Sequence, residues 1–579
     1  MFRAAVVVAL VAFVAQCIAF VHANAQTYDE GINLAAGLRF LDTGVDDVNG
    51  EHPPFAKALM ALPVKLFAAP HVDVAAWRAR QESGFGLGRD VLYAGGVSHE
   101  RLLGLGRAPI VLFALGLVAL IGGFARRLWG PRAGLLALVL AAFDPNLVAH
   151  GSVMGLDMPI TFFFTLALFA LNEFVTSHKM RWLALAGVAS GLVLSTKHSG
   201  PLLVVAVLVA LVARALHTGD VPSVWDVETD THQGKSRSRA LARAAFDALA
   251  LVAVALVVVK LVHGRAGYEA YLVGLRAQLA HQGAGHPAFF LGEVSRAGWA
   301  SYFPIALLLK MPPLTLALAL ASTVVRRAER GGEKGEDRFR SALSVVGVPF
   351  AVVFFGLLFV RIDVGVRYAL PIMPLLVVWA SRVATSPMGN VAKIACGLGL
   401  AHHVVAAVRI APHDLAFFSD AVGGPSRGAR YLADSNLDWG QDVGTLGRWM
   451  ALREPPRRLY LSYFGSADPR AYGVRFWPAP NACPHPAPWS REPEPEAGKE
   501  YLAVSAMNLQ GVFFQDPSAY AWLGGRVPVA ILGHSISVFD ITGDLAAHRE
   551  LLRMYLRFGP PGLASVERER VRALEGGTP

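Results

Sequence analysis

Up to about residue 410, apolar residues fall into runs long enough to cross a bilayer, with polar residues gathered in the gaps. Ala4 to Val21 is uncharged after Arg3, and further runs lie at roughly 108–125, 133–150, 158–176, 182–196, 199–213, 246–262, 302–325, 341–360, 368–381 and 393–409. Because a helix needs about 20 apolar residues to span, the pattern predicts about eleven transmembrane helices. His22-Ala23-Asn24-Ala25 resembles the small-residue cleavage site of a signal peptide. The first run is nevertheless long enough to span, and a span fits the later topology. From His22 to Arg107 the apolar stretches, such as Phe55 to Phe67, are too short and interrupted to cross. They predict amphipathic helices along the outer membrane surface. Trp182 to Ala213 breaks at Ser195-Thr196-Lys197-His198-Ser199-Gly200-Pro201 into two short runs. One continuous helix there would carry the basic residues from Arg214 to Arg243 to the outside, so a tight hairpin with Lys197 at its tip is expected.

After Arg409 the pattern changes: charge, proline and aromatic content rise and apolar runs shrink to strand length. Leu459 to Phe464, Tyr501 to Val504 and Val527 to Phe539 read as strands, and Gly444 to Leu452 reads as a helix. Asn481 to Glu496 is a proline-rich loop, and a charged helix closes the chain from Glu567. The fold class is thus a polytopic α-helical membrane protein with a C-terminal extracytoplasmic α/β domain. Residues 1–410 form the membrane domain, with 22–107 as its outer loop, and 411–579 form the second domain.

Composition agrees with this reading. Of 579 residues, 54% are hydrophobic and only 17% charged, which excludes an ordinary soluble globular chain. The net charge of +10 would suggest nucleic acid in a soluble protein; here the basic residues sit between apolar runs, where they orient the chain. No nucleic-acid partner is expected. Cys17 and Cys396 lie in apolar runs and Cys483 stands alone, so there is no disulfide framework outside the membrane. There is no zinc spacing and no Walker loop, and Gly84 to Gly88 is not placed like a dinucleotide loop.

Charge bias sets the sidedness. Arg126, Arg127, Arg132, Lys179, Arg181, Arg214, Lys235, Arg237, Arg239, Arg243, Arg326, Arg327, Arg330, Lys334, Arg338, Arg340, Arg382 and Lys393 fall in alternate connections, the cytoplasmic ones. Chemistry is therefore sought where charge stands on the other side. Asp29 and Glu30 emerge as the first span ends, either as a reactive pair or as the solvated end of a span. Asp157 opens a later span, where helix capping is the competing reading. Lys197, Lys310, Arg361 and Arg367 are cations at outer ends and need a partner, which a lipid phosphate would supply. Arg361 could instead pair locally with Asp363. His402-His403 reads as packed in the bilayer.

These residues carry a resemblance. Tyr28-Asp29-Glu30, His52-Pro53-Pro54-Phe55-Ala56-Lys57, Pro145 to Pro159 with Ala149-His150-Gly151 and Asp157, Thr196-Lys197-His198, Tyr302-Phe303-Pro304 with Lys310, and Arg367-Tyr368-Ala369-Leu370-Pro371 resemble GT-C glycosyltransferases. The branch resembled is that of protein O-mannosyltransferases and aminoarabinose transferases. Ser435 to Asp442 also resembles a segment of bacterial members, without an assigned role. The resemblance implies a hexosyl- or pentosyltransferase in the plasma (bacterial inner) membrane. It would move a sugar from a polyprenyl-phosphate carrier to an acceptor outside the cytoplasm, with inversion. Asp29 would be the general base, and Glu30 or Asp157 would orient the acceptor. Lys57, Lys197, Lys310, Arg361 and Arg367 would hold the donor phosphate, while His52, His150 and Tyr368 position substrate. The sugar-binding β-trefoil of eukaryotic protein mannosyltransferases is not found in the tail, so protein, lipid or glycan all remain open as acceptor. No cofactor is required; a divalent metal is compatible with the carboxylates, but no ligand set demands one. The tail is expected to shape acceptor choice, so that deletion from about Gly424 should spare donor binding. Two other classes stay open: a lipid flippase or secondary transporter, and a membrane-anchored envelope assembly protein.

Overall fold

The first apolar run forms a helix from Phe2 to Ala23, and its 22 residues reach about 33 Å, enough for a hydrocarbon core. The computed structural model describes residues 2–218, 237–324, 339–486, 489, 495, 497–559 and 561–576. Lys235, Arg326, Arg327, Arg330, Lys334 and Arg338, counted in the cytoplasmic bias, lie outside the described residues. Among those described, seven helices are long and apolar enough to cross a membrane. Tyr302–Lys310 with Pro313–Val324 makes an eighth as a bent pair, and Pro131–Ala142, Met180–Leu194 and Gly200–Leu216 are shorter apolar helices. The chain is a polytopic helical membrane protein, and these segments account for the eleven runs.

Two runs expected as continuous helices are broken by proline. The run at 133–150 ends as a helix at Ala142, and Asp144 then caps a separate short helix, Pro145–His150, accepting from the N–H groups of Asn146 and Leu147. Pro145 lacks an N–H, and its ring would meet the carbonyl of Ala141 in a continuous helix. The run at 302–325 turns through 112° at Met311-Pro312. Met311 is extended, with ψ 144°, as the residue before a proline prefers.

The helix His99–Trp129 runs from one end of the bundle to the other. Ser98 caps its start, and its end at Gly130 leads straight into Pro131. Arg107 lies near one end and Arg126 near the other, about 28 Å apart along the axis. The outer loop packs more deeply than a surface-lying helix would. Glu30–Thr43 buries its first nine residues, and it meets Phe55–Phe67 so closely that a Cβ on Gly37 would lie 2.1 Å from the carbonyl oxygen of Lys57. Phe55–Phe67 does keep an exposed apolar edge at Leu62, Leu66 and Phe67, suited to the bilayer interface.

Beyond the spans, Gly267–Ala284 leads to a hairpin of β1 (Ala288–Phe290) and β2 (Glu293–Ser295), whose tip residues Leu291 and Gly292 both have positive φ. Phe290 bridges to Leu432. The C-terminal part holds a five-stranded sheet of order β4-β3-β5-β7-β6, made of β3 (Arg458–Ser462), β4 (Trp477–Pro478), β5 (Glu500–Ser505), β6 (Ala530–Leu532) and β7 (Ile536–Asp540). β3 is parallel to β4 and β5, and β7 is antiparallel to β5 and β6. Every residue of β3 is buried, as in a strand covered on both faces. Leu545–Phe558 and Pro561–Leu574 pack together beside this sheet. There His548 reaches Glu567 at 2.6 Å and Glu500 at 3.4 Å, and Arg570 reaches Glu500 at 2.5 Å. Burial opposes the charged imidazole of His548, but the paired carboxylates outweigh it and hold it up, to about 9.

Candidate active site

A cavity of about 490 Å³ opens where the turn after the first span, the segment that follows it, the helix Asp157–Ser177, the Lys197 turn and the C-terminal part converge. Its charged lining includes Asp29, Asp157, Lys197, Arg367 and Asp434. Asp29 projects from the turn between the first span and the helix at Glu30. Its Oδ2 accepts from Arg367 Nη1 at 3.0 Å, and its side chain is about one-third exposed. Asp157 accepts from Lys197 Nζ at 2.6 Å and lies 3.9 Å from the same Arg367 nitrogen. Both cations lie against aromatic faces: Lys197 is 4.2 Å from the Tyr368 ring centre and Arg367 is 4.5 Å from that of Trp439. Two carboxylates and two cations therefore alternate around one space.

The turn that presents Asp29 is fixed by its neighbour. Glu30 is buried, and both its oxygens are fully used. Oε1 accepts from Arg107 Nε at 2.7 Å and the Met154 N–H at 2.8 Å; Oε2 accepts from Arg107 Nη2 and the Thr27 N–H, each at 2.7 Å. Arg107 also donates to the carbonyls of Val21, Asn24 and Ala25, closing the end of the first span. Glu30 therefore does not face the cavity, and the expectation that it orients the acceptor is corrected: it is a positioning residue beneath Asp29. Breaking a buried ion pair from one side costs about 3–5 kcal/mol. Glu30→Gln should accordingly lower the thermal melting point of the detergent-solubilised protein far more than Asp29→Asn does. Equal melting of the two variants would contradict this division of roles.

Three expected phosphate ligands are likewise placed elsewhere. Lys57 is fully buried; its Nζ meets both oxygens of Asp46 and the carbonyls of Asn49 and His52, all at 2.7 Å, so it braces the outer loop. Lys310, at the proline bend, donates to the carbonyls of Leu415 at 2.8 Å and Asn436 at 2.6 Å. Its charge is spent tying the membrane domain to the C-terminal part. Arg361 is exposed and does not line the cavity. Asp363 does not pair with it; Asp363 Oδ2 accepts the Trp299 N–H at 2.7 Å. His150 is buried behind the site, 6.3 Å from Trp439 between ring centres, and does not line the cavity either.

His52 and Tyr368 do line it. Burial and the nearby Lys197 and Lys57 charges hold His52 well below its ordinary range, so it is neutral, and its Nδ1 has no partner among the described residues. A neutral imidazole can donate or accept one hydrogen bond to a bound molecule. His403 is packed as expected, in contact with the carbonyl of Leu140. Among the described residues no cluster of three or more His, Cys, Asp or Glu is arranged to hold a metal.

The segment 435–442, left without a role by sequence, forms part of the wall through Trp439. Asn436 accepts the Val366 N–H at 2.9 Å and donates to Tyr302 at 2.9 Å, so it sets the backbone that carries Arg367. Gly365 allows the approach: at φ 150° it lies so close to Ser435 that a Cβ would sit 2.1 Å from its Oγ. Deletion from Gly424 would remove Asn436 and Trp439, so the expectation that such a truncation spares donor binding is withdrawn. Sequence reasoning also missed the aromatic lining of Phe464 and Phe513 and the histidines His281 and His286.

Comparison with known proteins bears on this arrangement. Residues 106–262 match the family model described as dolichyl-phosphate-mannose-protein mannosyltransferase. A search of curated proteins finds no match. Among solved structures, ArnT from Cupriavidus metallidurans in the apo state is similar at 15% identity and a TM-score of 0.47, over 93% of this chain and 97% of that one. The same protein bound to undecaprenyl phosphate is similar at 15% identity and 0.46, over 94% and 98%. The apo oligosaccharyltransferase of Archaeoglobus fulgidus is similar at 14% identity and 0.42, over 79% and 58%. The family match covers the spans that deliver Arg107, Asp157 and Lys197 to one end of the bundle.

Proposed function

We propose that the chain transfers a sugar from a polyprenyl-phosphate carrier to an acceptor hydroxyl at the extracytoplasmic face, with Asp29 as general base and inversion at the anomeric carbon. The observation that carries this reading is the single arginine shared by two carboxylates: Arg367 at 3.0 Å from Asp29 and 3.9 Å from Asp157. In the resting site the cations are neutralised internally. A donor phosphate brings the charge that draws Arg367 and Lys197 away, and the same exchange leaves Asp29 free to accept a proton. The acceptor oxygen attacks the anomeric carbon as the bond to the phosphate oxygen breaks. The electron pair leaves on the phosphate, where the two cations meet it, and the acceptor proton passes to Asp29. Attack opposite the leaving group inverts the centre. The family description names a polyprenyl-phosphate sugar, dolichyl-phosphate-mannose, which supports this class of donor.

The basic connections support an outer position for the site. Arg126 and Arg127 lie at the far end of the helix that carries Arg107 beneath Asp29, which favours a cavity opposite the cytoplasm. The test is the lipid held by the protein purified from membranes, analysed by mass spectrometry. Polyprenyl phosphate or its glycosyl ester is expected, and added undecaprenyl phosphate should displace it. Retention of bulk phospholipid alone, unaffected by undecaprenyl phosphate, would contradict the reading.

A further inference from the structure

Asp434 is the cavity carboxylate for which the proposed reaction has no use. Asp29 and Asp157 are paired with cations, and Glu51, at the cavity edge, lies 3.3 Å from His281. Among the described residues Asp434 has no salt-bridge partner. Its Oδ1 accepts the Ser435 N–H at 2.6 Å, while no hydrogen bond within the described residues uses Oδ2. Burial raises its carboxyl to about 7, with Arg367 opposing the rise.

The backbone holds Asp434 in an uncommon conformation. It sits at φ 54°, in the left-handed region, and its carbonyl accepts the N–H groups of Leu437 and Asp438, both at 2.9 Å. Aspartate is one of the few side chains that enters this region readily, and such conformations gather at functional sites. Its own N–H is directed at Met507 Sδ at 3.0 Å. Met507 belongs to a small apolar cluster with Ala433 and Phe464, against which Tyr28 and Phe513 pack.

That cluster gives the cavity an aromatic wall. Tyr28 and Phe464 are stacked with centres 5.0 Å apart and planes at 12°, and Phe464 and Phe513 at 5.7 Å and 15°. All three rings line the same cavity as Asp434. A carboxylate with an uncommitted oxygen beside aromatic surface matches a molecule bearing hydroxyls around an apolar ring face. The C–H groups of such a face meet the negative face of an aromatic ring favourably. A bare phosphate would be repelled by Asp434, and an isoprenoid chain would leave its oxygen without a partner.

We propose that Asp434, with the Tyr28, Phe464 and Phe513 wall, is a sugar-binding subsite, in which Asp434 takes hydroxyls of a hexose or pentose ring. This rests on the transferase reading of the same cavity. The ring is either the sugar carried by the donor or a sugar of the acceptor, and the experiment separates these sources. Asp434→Asn tolerates the left-handed backbone and keeps one hydrogen-bonding oxygen, so folding is preserved. Binding is measured in nanodiscs for undecaprenyl phosphate alone and for undecaprenyl phosphate carrying mannose, glucose, galactose or arabinose.

With a donor sugar in the subsite, wild type prefers one glycosylated lipid over the bare phosphate. Asp434→Asn then loses about tenfold in that preference, with bare phosphate bound at least as tightly as by wild type, as expected for one charge-assisted hydrogen bond. Phe513→Ala shifts the same quantity in the same direction. With an acceptor sugar there, the preference between the two lipids stays as in wild type and neither binds more weakly, and transfer to the native envelope fraction falls through a raised KM for that fraction. Weaker binding of bare phosphate by Asp434→Asn, or unchanged binding and unchanged transfer, would overturn the proposal. If wild type bound no undecaprenyl phosphate at all, the donor reading would fail instead. Saturation-transfer NMR with the methyl glycosides of the same sugars would still read the subsite: a signal lost in Asp434→Asn supports it, and no signal in wild type overturns it.

Discussion

Arg367→Ala is expected to abolish most donor binding and transfer together, because the guanidinium meets the phosphate both before and during bond breaking. A hydrogen bond to a charged group contributes about 1.5–3 kcal/mol, so loss of Arg367 alone should weaken binding of undecaprenyl phosphate by roughly 10–100-fold. The rate should fall further, since leaving-group charge grows as the glycosidic bond lengthens. Arg367→Lys should fall between the two: it keeps the charge but loses the planar stack on Trp439, 4.5 Å away, and the fork geometry suited to phosphate. Binding of labelled undecaprenyl phosphate in nanodiscs checks this order. Wild-type binding by Arg367→Ala would place the phosphate elsewhere.

Asp29→Asn should have the opposite signature. The amide keeps the size of the side chain and one accepting oxygen but cannot take a proton, so transfer should fall by roughly 10²–10⁴-fold. Donor binding should survive and tighten, because Arg367 no longer has a carboxylate competing for it at 3.0 Å. Parallel titrations of donor and measurements of single-turnover transfer separate the two effects. Weaker donor binding in Asp29→Asn would mean that Asp29 supports the lipid rather than competing with it. Near-wild-type transfer would reduce it to a carboxylate at the membrane edge.

The spans, the break at Lys197 and the gathering of Asp29, Asp157, Lys197 and Arg367 at one end of the bundle were legible because membrane physics writes them into linear sequence. An apolar run must be continuous, and a charge at its end must be accounted for. The same logic could not separate Arg367 from Lys310 or Lys57. Each reads as a cation on the same side of the chain, but Lys310 is satisfied by Leu415 and Asn436, more than a hundred residues away. Glu30 was misread for a similar reason: its partner Arg107 is 77 residues distant. Adjacency to Asp29 suggested a shared task, whereas consecutive residues at the start of a helix point in different directions. The bends at Pro145 and Pro312 were present in the sequence, and hydropathy alone passed over them. The role of Ser435 to Asp442 was beyond reach, because a wall residue such as Trp439 is defined by the arginine it covers.

The central claim is transfer, and the most direct measurement tracks both products of it. Purified protein in sealed vesicles, given undecaprenyl phosphate carrying a radiolabelled sugar and the native envelope fraction, should convert donor to free undecaprenyl phosphate. Label should appear in the acceptor in equal amount, with Asp29→Asn blocking both. Movement of intact labelled lipid from one leaflet to the other, with no undecaprenyl phosphate released and no label in the acceptor, would contradict the account and mark the chain as a lipid carrier.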